Sequence, residues 1–140
     1  MHAFKTSLMP ALALLVLLMA TSCTAPPPCL ELTAREASLR NMAVRKVLPA
    51  FPSEAANASA SGVAVAQVRI DENGNLTSVE VLQAPHPSIA QATIAAIKQW
   101  EFKFTKNEAT PECFNSKLTF YFVIEDGKAI VRDPKRFQRV

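Results

Sequence analysis

The stretch from Gly62 to Gln83 constrains this chain more than any other. Two runs, Gly62 to Glu72 and Asn75 to Gln83, flank Asn73-Gly74, and Gln67 to Asp71 and Ser78 to Val81 within them alternate polar and apolar residues. Alternation at every second position marks a strand with one buried face. Asn-Gly favours positive φ at both central positions, as a two-residue type I′ hairpin turn requires. Loop length then sets the register. Ile70 is expected opposite Thr77, Val68 opposite Val79, Ala66 opposite Val81 and Ala64 opposite Gln83, on the buried face. On the other face Arg69 meets Ser78, Gln67 meets Glu80 and Val65 meets Leu82, with Arg69 diagonal to Glu80 and placed to pair with it.

The segment after the hairpin is patterned to cover it. Ile89, Thr93, Ala96, Ile97 and Trp100 recur at helical spacing, in a helix that starts at Pro87 or Ser88. Ala90, Ala92, Ala95 and Ala96 let that helix lie close to the sheet. Trp100 in its last turn plugs one end of the interface. The chain then leaves through Phe102 towards a long alternating strand, Phe114 to Glu125. There Phe114, Leu118, Phe120, Phe122 and Ile124 point one way, and Asn115, Lys117, Thr119, Tyr121 and Glu125 the other. Trp100, Phe102, Phe120 and Phe122 are read as core, and Asp126-Gly127 ends the strand. Upstream, Thr33-Ala34-Arg35-Glu36 has the form of a capping box. It opens a helix over 33–48 whose buried stripe is Leu39, Met42, Ala43 and Val47. Pro49 stops that helix, and Pro52 opens a short second one from Ser53 to about Ala60. The order predicts an α+β fold: a three-stranded antiparallel sheet, made of hairpin, helix and strand, covered on one face by helices.

The first 22 residues read differently. Lys5 precedes an apolar run, Leu8 to Ala20, and small residues come next, as in a cleaved secretory signal. Ala20-Thr21-Ser22-Cys23 resembles the lipobox of bacterial lipoproteins, which implies a lipid on Cys23; ordinary cleavage nearby is the alternative. Thr24 after that cysteine, where inner-membrane retention uses Asp, resembles outer-membrane sorting. Of three cysteines, Cys29 and Cys113 then remain. An exported pair in an oxidising compartment favours a disulfide, and two buried reduced thiols are the alternative. Residues 23–32 are read as a Pro-rich tether, 33–48 as an N-terminal helix, 49–128 as one domain and 129–140 as a basic tail, solvated or touching anionic lipid.

The chain from Cys23 on is close to charge balance, since only Lys5 of the 15 Lys and Arg, and none of the 12 Asp and Glu, precedes it. That pattern does not suggest nucleic acid as a partner. No metal-ligand spacing and no Gly-rich phosphate loop is present. His86 is the only histidine beyond the signal, and it stands beside prolines. A catalytic role, a cofactor and a small-molecule substrate are therefore not expected.

Five short motifs in order carry a resemblance. Pro49-Ala50-Phe51-Pro52-Ser53-Glu54-Ala55, Gly62-Val63-Ala64-Val65-Ala66, Asp71-Glu72-Asn73-Gly74, His86-Pro87-Ser88-Ile89-Ala90 and Trp100-Glu101-Phe102-Lys103-Phe104 resemble, over Pro49 to Ile124, the C-terminal domain of the TonB energy transducers. Phe51 stands for the family's Tyr, Ala90 for its Asp and Phe104 for its Pro. The resemblance implies a periplasmic module whose last strand accepts an extended peptide from an outer-membrane transporter. Here the accepting edge would be read through Asn115, Lys117, Thr119 and Tyr121. The expected function is thus a non-catalytic, lipid-anchored envelope module, facing the periplasm of a Gram-negative-type bacterium. A structural homodimer or spacer, and a transducer with a retained membrane anchor, are the alternatives.

Overall fold

The computed structural model describes residues 29–106 and 110–134. The proposed signal, Cys23 and the last residues of the tail lie outside these. Gly62–Ile70 forms β3 and Leu76–Gln83 forms β4, the expected hairpin. Ala64, Ala66, Val68 and Ile70 are all fully buried, so the face read from the alternation is the core face. Val68 pairs with Val79 and Ala66 with Val81, and on the outer face Gln67 pairs with Glu80 and Arg69 with Ser78, as expected.

The turn itself differs. Asp71 N donates to Asn75 O and Gly74 N to Asp71 O, so three residues rather than two form the loop. Only Gly74 has positive φ there, at +87°. This is a type I turn closed by a residue in the left-handed region. A longer loop would slip the register by one, which moves every side chain to the wrong face. The slip is undone at once: Ile70 pairs with Leu76, not Thr77, and a bulge between Arg69 and Ile70 absorbs the extra residue. The displaced Thr77 turns its hydroxyl to the Arg69 carbonyl at 3.1 Å. A second bulge, between Val65 and Ala66, leaves Val65 opposite Gln83 instead of Leu82.

The covering helix α3 spans Pro87–Ile97, and Ile89, Thr93, Ala96 and Ile97 form its buried stripe. His86 caps it, accepting the Ser88 N–H on Nδ1 at 3.2 Å. Trp100 is buried beyond the last turn, edge-on to Phe120. Its Nε1 donates to Val47 O at 2.9 Å, so the polar end of the ring is satisfied as well as its apolar body packed.

The N-terminal part departs from expectation. Leu30–Thr33 is a strand, β1, so the tether read over 23–32 ends before it and Thr33 caps nothing. Helix α1 covers only Glu36–Met42, starts at Arg35 without a side-chain cap, and gives way to β2, Ala43–Arg45. β2 pairs with β5, Glu101–Phe102, in a separate two-stranded sheet. The helical stripe misled because Leu39, Met42 and Ala43 face the core in both arrangements. Helix α2, Ser53–Asn57, follows Pro52 as expected.

The long strand β6 runs Glu112–Glu125 and is followed by β7, Lys128–Arg132, across a two-residue turn in which Asp126 and Gly127 both have positive φ. The basic tail read over 129–140 therefore begins as a strand. The main sheet has five strands in the order β1-β6-β3-β4, with β7 also on β6. β1 runs parallel to β6, so the sheet is mixed rather than purely antiparallel and larger than the three strands expected.

Candidate functional site

The edge of a sheet presents unpaired backbone groups that can take up another strand, so each edge of the main sheet is a candidate site. The residues expected to accept a partner strand all lie on β6, and β6 is not an edge. β3 pairs with it from Gly62↔Phe122 to Ile70↔Phe114. Its other side is taken in three pieces. β1 occupies Glu112 to Asn115, and Ala34 N extends this by donating to Asn115 O at 2.9 Å. β7 occupies Tyr121 to Glu125.

Side chains of α1 close the gap between them. Glu36 Oε1 accepts the Thr119 N–H at 2.7 Å and Glu36 Oε2 accepts from Thr119 Oγ1 at 2.9 Å. Arg40 Nη2 donates to the Thr119 carbonyl at 2.7 Å. A carboxylate and a guanidinium thus make the two hydrogen bonds that a neighbouring strand would make. Arg40 also holds Glu36 at 2.9 Å and Asp133 at 2.8 Å, and its guanidinium lies over the rings of Trp100 and Phe120 at 5.4 and 5.2 Å. Of the four residues read as the accepting edge, Asn115, Thr119 and Tyr121 face chain already in place. Lys117 lies between the pieces, with Ser116 Oγ 3.4 Å from its carbonyl. The error had a simple source: β1 and β7 fall in segments read as tether and tail.

β4 is the opposite case. It neighbours β3 alone in the sheet order, and α3 lies over its core face. Which of its backbone groups face outward is set by alternation. The Asn115 and Thr119 backbone groups point away from β3, so Arg69 and Gln67, opposite Asn115 and Lys117, direct theirs towards β4. Ser78 and Glu80 receive those bonds, which leaves the N–H and C=O of Val79 and Val81 facing out. The side chains of Ser78 and Glu80 are exposed, and Leu82 is 48% exposed.

Arg69 does not pair with Glu80. It reaches across Asn115 to Glu31 on β1 at 3.5 Å, drawn by a strand the sequence pattern did not reveal. Gln67 and Asn115 also hydrogen-bond across this face.

Cys29 and Cys113 form a disulfide, with Cα atoms 5.6 Å apart, which fixes the start of β1 to the start of β6. Glu72 Oε2 lies 3.8 Å from the Cys113 sulfur. These three residues form the one metal-like cluster among the described residues, but bridged sulfurs offer no thiolate to an ion. Ser88 Oγ stands 2.7 Å from His86 Nδ1. That nitrogen also takes the Ser88 N–H in the helix cap, and no carboxylate contact orients the ring among the described residues, so the pair is a cap rather than a nucleophile and base.

Asp71 organises the hairpin loop. Its Oδ1 accepts the N–H of Asn73 at 2.9 Å and of Asn75 at 2.8 Å, and its Oδ2 accepts the Asn75 side-chain amide at 3.1 Å. Partial burial pushes its pKa up, but these donors and the charge of Lys106 outweigh that and hold it below the ordinary value of 3.8.

Comparison with known proteins adds one finding. The family model described as "Gram-negative bacterial TonB protein C-terminal" matches residues 47–124. No curated protein matches the chain.

Proposed function

The chain belongs to the Gram-negative bacterial TonB protein C-terminal family, and we propose that it is a lipid-anchored module which binds an extended segment of an envelope or TonB-dependent transport protein by strand addition. The family is one of periplasmic interaction and energy-transduction domains, without catalysis of its own. The observation that carries the reading is the outer side of β4, the longest strand edge of the main sheet without a partner strand among the described residues; the other open edges, on β1 and β7, are four and five residues long. Backbone groups on such an edge supply affinity, and alternate side chains supply selectivity.

The anchor we propose is Cys23. Only residues 24–28 separate it from Cys29, which the disulfide ties to β6. Pro-rich chain extends about 3.1 Å per residue, so this tether holds the domain within about 20 Å of its membrane, which we take to be the outer one. That reach suits a partner at the same membrane better than a rod crossing the periplasm.

The test has two arms. Intact mass of the membrane-purified protein should begin at Cys23 and carry a diacylglyceryl and an acyl group; a mass beginning at Met1 would favour the retained-anchor transducer instead. Photocrosslinking in cells from position 82 should then map to an extended periplasmic segment of a transporter or envelope protein. Crosslinks to a second copy alone would favour the homodimer.

A further inference from the structure

The two long sides of the main sheet are not equivalent. On the β6 side the edge is broken up: β6 is covered by β1, by the Glu36–Arg40 pair and by β7, and the outward edges of β1 and β7 are only four and five residues long. The β4 side turns the backbone groups of Val79 and Val81 to solvent, between two bulges that limit the regular stretch to Ser78 through Val81. Natural edge strands are guarded by charged side chains, above all lysine, by proline, by inward charges or by bulges. β4 reads Leu-Thr-Ser-Val-Glu-Val-Leu-Gln and has no lysine, proline or inward charge; its guards are the two flanking bulges and one charge, Glu80, exposed on the face away from α3.

We infer that β4 is the acceptor edge, and that its occupant is a short extended segment of an envelope protein with a lysine or arginine lying beside Glu80. The inference rests on the strand-addition proposal and names its site and partner chemistry. Glu80 also argues against a second copy of this chain as the occupant. The antiparallel pairing that uses all four open groups sets Val79 against Val81 of the partner copy. It thereby puts the two Glu80 carboxylates directly opposite one another, and like charges at such positions are destabilising. A cation at that position converts the same contact to an attractive one. Apolar side chains of the added strand would point to the other face, where Val79 and Val81 already pack on the core.

The experiment uses the full chain, isotope-labelled and held in detergent micelles. Two probes are titrated into it: an eight-residue alternating valine–threonine peptide with one central lysine, and the same peptide with glutamate in its place. The lysine peptide should slow amide hydrogen exchange at Val79 and Val81 and bind about fivefold more tightly than the glutamate peptide. Glu80→Lys should reverse that preference. Protection arising instead at Lys117, Thr119 or β7 would overturn the β4 assignment and leave strand addition standing. Failure of either peptide to protect any edge amide would overturn both. Equal affinity of the two peptides, with protection at Val79 and Val81, would overturn the basic partner.

Discussion

Asp71 shows how much one short side chain can organise. Its carboxylate holds two backbone amides and one side-chain amide of the loop, and its folded pKa is lowered. A lowered carboxyl pKa contributes stability that is fully present above the unfolded value, about 3.9, and is lost as pH falls through the folded one. Asp71→Asn should therefore cost about 1 kcal/mol at pH 7, and the gap should begin to narrow as pH falls below the unfolded value and close only below the lowered folded one. Urea unfolding of both proteins at pH 7 and pH 2.5 checks this; an unchanged gap would mean that the charge contributes nothing. Gly74 beside it is needed for two reasons at once. Its φ is +87°, and a Cβ there would come within 2.5 Å of the Phe102 carbonyl oxygen. The Asn-Gly signal thus located the turn correctly. It gave the wrong loop length because Asp71 was available to stabilise a wider one.

Among the elements, α1 is the one whose role is least evident from its length. It has seven residues and no side-chain cap, too few to stand alone. Leu39 is buried against the sheet, and Glu36 and Arg40 satisfy the Thr119 backbone. Glu36→Ala should remove the acceptor from the Thr119 N–H, speed its hydrogen exchange at least tenfold and cost about 2 kcal/mol, the scale of hydrogen bonds to a charged group. Amides of β3 should stay protected. Undiminished protection at Thr119 would show that its N–H does not depend on the carboxylate. The capping-box pattern around Thr33 and Glu36 was present, yet Glu36 serves β6 instead. A carboxylate in the first turn favours the helix N-terminus whichever backbone amide it accepts from, so the motif cannot say which.

At the scale of the whole molecule the disulfide joins residues 84 apart and closes most of the described chain into one loop. Losing it through Cys113→Ser should cost roughly 2–4 kcal/mol and release β1 before β3 or β6. Denaturant midpoints and exchange rates at Glu31 and Leu32 would report both; unchanged protection in β1 would show that β1 is held by its pairing alone. Around that closure, local patterns decided a good deal. Alternation fixed the buried face of β3 and, as far as Phe122, that of β6, where Ile124 is exposed instead; helical spacing fixed the stripe of α3 through Ile97, and Trp100, Phe102, Phe120 and Phe122 came out as core. Each of these comes from periods of two or 3.6 residues that any stretch of sequence displays by itself. Which side of a strand has a neighbour is not written in its own period. β1 and β7 are short, half-exposed and without a strong pattern, and they gain strand geometry only from the backbone that β6 offers. Their pairing, with Glu36 and Arg40 on Thr119, covers β6 at Asn115, Thr119 and Tyr121 and leaves β4, with Val79 and Val81, as the longest open edge among the described residues. Hydrogen-bond partners distant in the chain decide that, and only the tertiary structure brings them together.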